Sequence, residues 1–483
     1  MTQEEFSEKL NEIQKKKCEE PTLEIKSAAK GCPKRLYDTL SAFSNQDDGG
    51  VIVFGVDEAA GYLEQGVYDA QDLQKKINEQ CLQMEPVVRP LLTVVEKDGK
   101  SFVAAEIPGM DIAERPCYYR GQGRVRGSYV RVGDSDEPMT EYEVYSYEAF
   151  RKKYQDDVRE VQRATPVMLD AEKVDSYIRL LKEGKPNLAH LGDAEIRELM
   201  SITRMGAVTL NACLLFCPYP QAYFPQFCIT AVVIPGREMG EINDYGARFA
   251  DNRRIEGSIP QMLDEALLFV KRNMRKMTII DARTGLREDR TEYPVTAVRE
   301  AVLNALVHRD YSMHTEGMPI QIRMFEDRLE ISNPGGIYGR LRVNQLGKVQ
   351  PDTRNPVLAA ALEVLGVTEN RYSGIPTMRR ELREYGLKEP EFTDSRNEFC
   401  VRFYHAESGE TVSIPDEIRK PVPDLIAFCR TPRSRKEICA FLGLSSTAYV
   451  MKKHIQPLID AGMIFMTLPE KPKSSKQMYY SAQ

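Results

Sequence analysis

One segment, Val298–Ser312 with the sequence VREAVLNALVHRDYS, limits most strongly what this chain can fold into. Glu300, Asn304 and His308 recur at every fourth position, so a helix would place all three on one side. Almost every residue between them is apolar, which predicts a helix that neighbouring elements bury on most of its surface. Because unpaired polar groups are costly to bury, the polar side of this helix faces either solvent or a ligand.

The bulk composition is that of a soluble globular protein. The chain has 483 residues, of which 42% are hydrophobic and 29% charged, and this length suggests roughly three domains. We expect no transmembrane helix, because no apolar run approaches the ~20 residues of a membrane span, and the charged N-terminus lacks the apolar core of a signal peptide. The ten cysteines lack the spacing of zinc ligands, which favours reduced thiols in a cytoplasmic protein.

Charge is distributed unevenly along the chain. The net charge of -6 argues against a protein that is basic over its whole surface. From residue 414 onward, however, 11 Lys and Arg residues stand against 6 Asp and Glu residues. A local basic face of this kind is where a nucleic-acid partner is expected.

Composition and periodicity divide the chain into four segments and predict a multidomain protein of mixed α/β (α+β) class. The predicted domains are 1–154, 166–291, 292–404 and 414–483, with a linker at roughly 156–165. The second of them is a middle or linker domain that precedes the segment with Glu300. In the fourth domain, Ser434 and Glu437 form a capping box that predicts the start of a helix. Its order of helix, turn, helix and β hairpin is typical of a winged helix-turn-helix.

Glycine-bearing stretches after the Glu300 helix predict a ligand site. SNPGG, at Ser332–Gly336, lets the backbone approach a planar ligand closely. SGIP places Gly374 at a helix start, where free N–H groups and the helix dipole favour phosphate. The amide oxygen of Asn304 could bind Mg²⁺, and Glu300 could orient an attacking water. Taken alone, a Glu and an Asn four residues apart are more often solvent-exposed.

These stretches together resemble the C-terminal ATP-binding domain of bacterial RecG-related proteins, a member of the gyrase, histidine kinase and MutL (GHKL) ATPase superfamily. The resemblance covers roughly residues 290 to 400 and implies an α/β sandwich that binds ATP with Mg²⁺. It implies that Glu300 is the catalytic Glu, that Asn304 holds Mg²⁺, and that His308 lies near the nucleotide. It also implies a mobile lid at residues 309–317. The glycine boxes around the nucleotide would be formed by Asn333, Gly335, Gly336 and Gly374.

One position departs from the superfamily pattern. The first glycine box usually begins with Asp, which accepts a hydrogen bond from the adenine amino group, whereas this chain has Asn333. An amide oxygen can also accept that bond, but adenine selectivity and turnover stay open. The chain contains no Walker A motif, so a P-loop helicase is not supported.

The N-terminal stretches CEEPTLEIKSA and LSAFSNQDDGGVIVFGVDE resemble the Schlafen-type AlbA-like domain, over about residues 15 to 135. Some Schlafen relatives cleave RNA with three carboxylates, which by position would be Glu19, Glu24 and Asp57. Three carboxylates on a divalent metal could support phosphodiester hydrolysis. The alternative is that these acids are solvated at strand ends.

Two groups of residues are candidates for contact with nucleic acid. The first is an arginine cluster in the N-terminal domain, which suits phosphate contacts but could also be a solvated face. The second lies on the predicted recognition helix and wing, a fold that also serves protein–protein contacts. The candidates are Arg120, Arg124, Arg126 and Arg131 in the first group and Ser446, Thr447, Lys452, Lys453 and Lys473 in the second.

The function expected from these patterns is ATP-responsive DNA binding by a transcriptional regulator. RNA as a partner and homo-oligomers stay open. One alternative is a metal-dependent nuclease of Schlafen type that ATP gates, which would require Glu24. Another is an interaction protein whose nucleotide site is degenerate, as marked by Asn333.

Overall fold

The computed structural model describes two compact units, Met1–His405 and Ala406–Gln483. Their helices and several sheets confirm the predicted mixed α/β multidomain class. No helix among the described residues is both long and apolar enough to cross a membrane. The described residues are 1–242, 246–280, 287–368, 373–395, 397–405, 422–442, 450–460, 463–469, 474 and 477–481.

The first part of the larger unit is built on a four-stranded sheet covered by helices on both faces. Its elements are α1 (Gln3–Lys16), β1 (Leu23–Lys26), α2 (Tyr37–Ser44), β2 (Gly50–Phe54), β3 (Val56–Asp57), β4 (Leu63–Glu64), α3 (Ala70–Cys81), β5 (Met84–Glu85), β6 (Leu91–Lys97), β7 (Lys100–Ile107), β8 (Tyr118–Tyr119), α4 (Gly123–Gly127), β9 (Tyr129–Val132), β10 (Ser135–Pro138) and α5 (Glu141–Lys152). The strand order is β1-β2-β7-β6, with β1 and β2 parallel and the other neighbours antiparallel.

Strand alternation explains how this sheet forms two cores. Successive side chains of a strand point to opposite faces. Ile52 and Phe54 of β2 therefore pack with α2 and α3, whereas Val53 between them packs with Phe6 and Leu10 of α1. Both cores consist of buried apolar side chains, so both helical layers are held to the sheet by apolar burial.

The second part of the larger unit is built on a six-stranded sheet. Its elements are α6 (Ala171–Gly184), α7 (Asp193–Leu199), β11 (Thr203–Arg204), β12 (Ala207–Val208), α8 (Leu210–Phe216), β13 (Ile229–Val233), β14 (Asp251–Ile255), α9 (Ile259–Asn273), β15 (Lys276–Ile280), β16 (Arg287–Thr291), α10 (Val295–His308), β17 (Ile320–Met324), β18 (Arg328–Pro334), α11 (Pro356–Val364), α12 (Gly374–Glu384), β19 (Glu391–Asp394) and β20 (Glu398–Tyr404). The strand order is β14-β13-β17-β18-β20-β19, and only β13 and β17 pair in parallel.

One core joins the predicted middle domain to the predicted ATP-binding domain. Strands β13 and β14 come from the first of these, and β17 to β20 come from the second, yet they share a sheet. Helices α9 and α10 pack on this sheet and on each other, and α12 packs on α10. The two predicted domains therefore form one layered body, with no boundary between sheets near residue 291.

The segment predicted as a linker is packed at its start. Asp157 is fully buried, and its carboxylate accepts hydrogen bonds from the backbone N–H groups of Val357 (2.8 Å) and Leu358 (3.0 Å). A carboxylate at a helix N-terminus satisfies free N–H groups and favours the helix dipole. The chain that leaves α5 is thus fixed to the start of α11.

The smaller unit has three helical segments and a small sheet among its described residues. The elements are α13 (Val422–Phe428), β21 (Arg433–Ser434), α14 (Arg435–Leu442), a π-helical turn (Met451–Ile455) that continues into α15 (Gln456–Asp460), β22 (Ile464–Met466) and β23 (Met478–Ser481). The strand order is β21-β23-β22. The capping box predicted at Ser434 and Glu437 is present. The winged helix-turn-helix stays a prediction, because residues 443–449, its turn and the start of its recognition helix, lie outside the described residues.

Candidate functional site

Helix α10 places its polar stripe on a cavity. Buried apolar residues on the rest of its surface, such as Val298, Val302 and Leu306, pack into the core of the second part. This packing fixes the rotation of the helix. Glu300, Asn304 and His308 consequently line one wall of a cavity of about 640 Å³. Small-molecule sites usually have volumes of about 300–1,000 Å³.

A glycine allows α12 to approach the stripe closely. A Cβ atom on Gly374 would lie 3.0 Å from Oε2 of Glu300 and 3.1 Å from Nδ2 of Asn304. Gly374 is the first residue of α12, so the free N–H groups of this helix start beside both side chains. This end of the cavity combines a hard oxygen ligand, a carboxylate and N–H donors, a set that suits a phosphate-bound cation.

The glycine box forms another wall. Asn333 is buried and lines the cavity, and its Nδ2 donates a hydrogen bond to the carbonyl of Pro334 (3.3 Å). Gly336 also lines the cavity. Gly335 has a φ of +92°, and a Cβ atom there would lie 2.6 Å from Cβ of Asp310. Glycine is therefore required at 335 both by the backbone and by the close approach to Asp310.

His308 is neutral near pH 7. Burial lowers the pKa of His308 to about 4, and the nearby Arg354 guanidinium contributes to this shift. A neutral imidazole offers one hydrogen-bond donor and one acceptor. At the cavity wall it can orient a polar ligand group without adding charge.

A buried ion pair between Arg354 and Asp310 contacts the backbone of the glycine box. This pair was not predicted from the sequence. Arg354 is 6% exposed, and its Nη1 lies 2.7 Å from Oδ2 of the fully buried Asp310. Its Nη2 donates to the carbonyl of Gly336 (3.1 Å). Burial would raise the pKa of Asp310, but Arg354 and hydrogen bonds, including one from the Ser312 N–H, lower it overall. No local pattern marks this pair, because its two residues are 44 positions apart in the sequence.

The first residues of the segment predicted as a mobile lid, 309–317, are buried in the core, whereas Met313, His314 and Gly317 are exposed. Arg309, Asp310 and Tyr311 are each 1% exposed or less. The Arg309 guanidinium donates to the carbonyls of Thr315 (2.9 Å) and Met318 (2.6 Å) and lies 4.2 Å from the centre of the Phe227 ring. These contacts hold the first part of the segment in place, and the mobility of the remainder stays a prediction.

The three carboxylates predicted for metal-dependent hydrolysis do not form a metal site. No group of three or more His, Cys, Asp or Glu side chains in the described part of the chain is placed to hold a metal ion. Glu24 instead pairs with Arg131 (2.8 Å), which also lies 3.7 Å from Glu19. Burial raises the pKa of Glu19 to about 7. Asp57 accepts a hydrogen bond from Gln65 (2.9 Å).

The predicted arginine cluster divides into different environments. The Arg131 side chain is 1% exposed and also pairs with Asp136 (2.9 Å), so its assignment to nucleic acid is wrong. Arg120 lies on the surface 3.3 Å from Glu85. Arg124 pairs with Glu148, and Arg126 is exposed. Arg120, Arg124 and Arg126 are therefore accessible to a phosphate backbone, whereas Arg131 stabilises the fold.

The candidates in the smaller unit lie mostly outside the described residues. This holds for Ser446, Thr447 and Lys473. Lys452 and Lys453 belong to the π-helical turn, but their side chains lie outside the description. Their roles stay predictions.

Three family models match parts of the chain. Residues 317–403 match "Putative ATP-dependent DNA helicase recG C-terminal", and residues 19–140 match "Schlafen, AlbA_2". These two matches confirm both resemblances. Residues 420–480 match "Filamentation induced by cAMP protein Fic-like, C-terminal domain". Glu300, Asn304 and His308 precede the first match, and the fold places them against its Asn333 and Gly336.

Several solved structures are similar to the chain, whereas no curated protein matches it. The DIP2311 protein from Corynebacterium diphtheriae is 18% identical, with a TM-score of 0.39, over 96% of this chain and 92% of that chain. The N-terminal domain of a RecG-related protein from Nitrosomonas europaea is 28% identical, with a TM-score of 0.23, over 27% of this chain and 90% of that chain. The domains together fit a nucleic-acid-binding protein of ATPase type.

Proposed function

We propose that this protein binds ATP with Mg²⁺ in the α10 cavity and that ATP alters its binding to DNA, as in a transcriptional regulator. The observation that carries this proposal is the polar stripe of α10, which faces a cavity of about 640 Å³ with the start of α12 against it. The match of residues 317–403 to an ATPase-like domain supports the choice of nucleotide.

The residues around the cavity suit the two ends of a nucleotide. Asn304 and the N–H groups at Gly374 would hold the phosphate end, and Asn333 and Gly336 would contact the base. Mg²⁺ bound at Asn304 would neutralise phosphate charge. Glu300, half-buried beside Asn304, would orient a water. His308 would stay neutral and contribute a hydrogen bond.

Two surfaces are proposed for DNA. The match of residues 19–140 to a Schlafen AlbA_2 domain supports nucleic-acid binding by the first part, through Arg120, Arg124 and Arg126. In the smaller unit, Lys452 and Lys453 would contact phosphates if that unit is a winged helix.

The nucleotide site is tested by binding of MgATP to Asn304→Ala. We expect its affinity for MgATP to fall by about tenfold or more, because a charge-assisted contact is lost. Calorimetric titration measures the affinity, and the rise of the unfolding midpoint with MgATP gives an independent readout. Asn78→Ala is the matched control, since Asn78 is exposed on α3 in the first part.

Unchanged affinity in Asn304→Ala would refute the site assignment. Absence of any MgATP binding to the wild type would favour an interaction protein with a degenerate nucleotide site.

A further inference from the structure

Tyr338 belongs to two environments at once. Its side chain lines the cavity beside α10, and the Arg354 guanidinium lies 5.0 Å from the centre of its ring. The same ring packs edge-on against Phe150 of α5, with centroids 5.4 Å apart. Its hydroxyl donates a long hydrogen bond to the carbonyl of Ala149 (3.5 Å). A cavity wall is therefore in direct contact with the C-terminal half of α5.

A second contact ties the start of α5 to the same wall. The hydroxyl of Tyr142 donates to Oδ2 of Asp310 (2.7 Å). That oxygen also binds Arg354, which holds the carbonyl of Gly336 in the glycine box. Polar networks of this kind are satisfied in one arrangement, so a movement of one member displaces the others.

Helix α5 also carries part of a basic surface. Glu148 of α5 pairs with Arg124 of α4 and lies 3.7 Å from Arg151. Arg126, two positions after Arg124, and Lys152, the residue after Arg151, are exposed. We name Arg124, Arg126, Arg151 and Lys152 the α4–α5 surface. Glu148 pairs with two of these four cations, Arg124 and Arg151, and the other two are exposed, a balance that suits a phosphodiester backbone.

We propose that α5 couples the α10 cavity to the α4–α5 surface, and that this surface binds the nucleic-acid backbone. The inference rests on the proposed function and specifies how ATP binding in the cavity would affect DNA binding. A nucleotide in the cavity contacts Tyr338, and displacement of Tyr338 shifts α5. The shift changes how Glu148 divides between Arg124 and Arg151, and so how many cations are free for phosphates. By thermodynamic linkage, nucleic acid then alters the affinity for ATP by the same factor.

The experiment measures binding of a short labelled DNA duplex of mixed sequence to the full chain, with and without saturating MgATP. The coupling ratio is the quotient of the two dissociation constants. We expect about a fivefold or larger change in the wild type. In Tyr142→Phe with Phe150→Ala, the ratio at saturating MgATP should approach one, because both contacts between α5 and the cavity wall are removed.

Matched variants separate coupling from structural damage. Tyr147→Phe removes a hydroxyl from the same helix and should keep the wild-type ratio, since the described residues show no hydrogen bond from Tyr147. Tyr142→Phe alone removes only a hydroxyl and should lower the ratio in part. Glu148→Gln should raise DNA affinity and weaken the coupling.

The outcomes distinguish the two proposals. If the wild type binds MgATP and DNA with a ratio of one, the proposed ATP-responsive function fails. If the wild type responds to ATP and the Tyr142→Phe with Phe150→Ala variant responds equally, the function stands and the α5 route is overturned. Equal DNA affinity of Arg126→Ala with Lys152→Ala and the wild type would overturn the α4–α5 surface.

Discussion

Arg354 is the single residue whose loss should most disturb the cavity wall. It joins the buried carboxylate of Asp310 to the backbone of Gly336. Removing one partner of a buried ion pair leaves the other charge unpaired, which costs about 3–5 kcal/mol. We therefore expect Arg354→Ala to lower the free energy of unfolding by about that amount and to weaken MgATP binding. Urea unfolding followed by circular dichroism measures the stability.

The control for this substitution is another arginine of the same cavity. Arg380 pairs with Glu381 on the surface, with 56% of its side chain exposed. Exposed pairs contribute about 0–1 kcal/mol, so Arg380→Ala should be close to the wild type in stability. Equal stability of the two variants would mean that Arg354 is not the support that its contacts indicate.

Among individual residues, the sequence predicted the grouping of those that are neighbours along one helix. Glu300, Asn304 and His308 could be grouped because helical spacing places them on one face. The pairing of Arg354 with Asp310 could not be predicted, because it joins positions 44 residues apart. Arg131 was assigned to nucleic acid for the same reason, since its partner Glu24 lies far away in sequence.

Helix α12 depends on Gly374 for its position against α10. A methyl group there would meet Glu300 and Asn304 at 3.0–3.1 Å, so both side chains must move. We expect Gly374→Ala to weaken MgATP binding by about tenfold, with little loss of stability, because alanine is the better helix former. Titration calorimetry and thermal unfolding test the two parts of this statement.

Gly184→Ala is the matched control for the helix substitution. Gly184 is the last residue of α6, and nothing lies within 4 Å of an added Cβ atom. Its MgATP affinity should equal that of the wild type. A Gly374→Ala protein with unchanged affinity would show that α12 does not contact the nucleotide.

Elements with local signals were predicted well, and those fixed by distant contacts were not. The capping box at Ser434 and Glu437 depends on residues three apart, and it is present. The lid at 309–317 was expected from the superfamily resemblance and not from a local pattern. The ring of Phe227 covers the Arg309 guanidinium at the start of this segment, a contact between distant positions that no local pattern shows.

The whole chain divides differently from its sequence segments. The predicted boundary near residue 291 falls inside one sheet and core, because β13 pairs in parallel with β17 across 91 residues. Parallel pairing needs a long connection, and here that connection contains α9 and α10. Composition changes along the chain cannot reveal that strands on either side of such a connection are partners.

The two proposed DNA surfaces lie in different units, and salt dependence can separate them. Each phosphate contact contributes about 0.9 to the slope of log affinity against log salt. We expect Arg126→Ala with Lys152→Ala to reduce the slope by up to about 1.8, and Lys452→Ala with Lys453→Ala to reduce it similarly. Combining all four substitutions should give the sum if both surfaces contact the same duplex.

Only the first of these two variants should also change the coupling ratio with MgATP, because α5 reaches the α4–α5 surface. The experiment is DNA binding over a salt series, with and without MgATP. A slope unchanged by Lys452→Ala with Lys453→Ala would remove the smaller unit from the DNA interface. ATP sensitivity would then depend on the larger unit alone, in which both the α10 cavity and the α4–α5 surface lie.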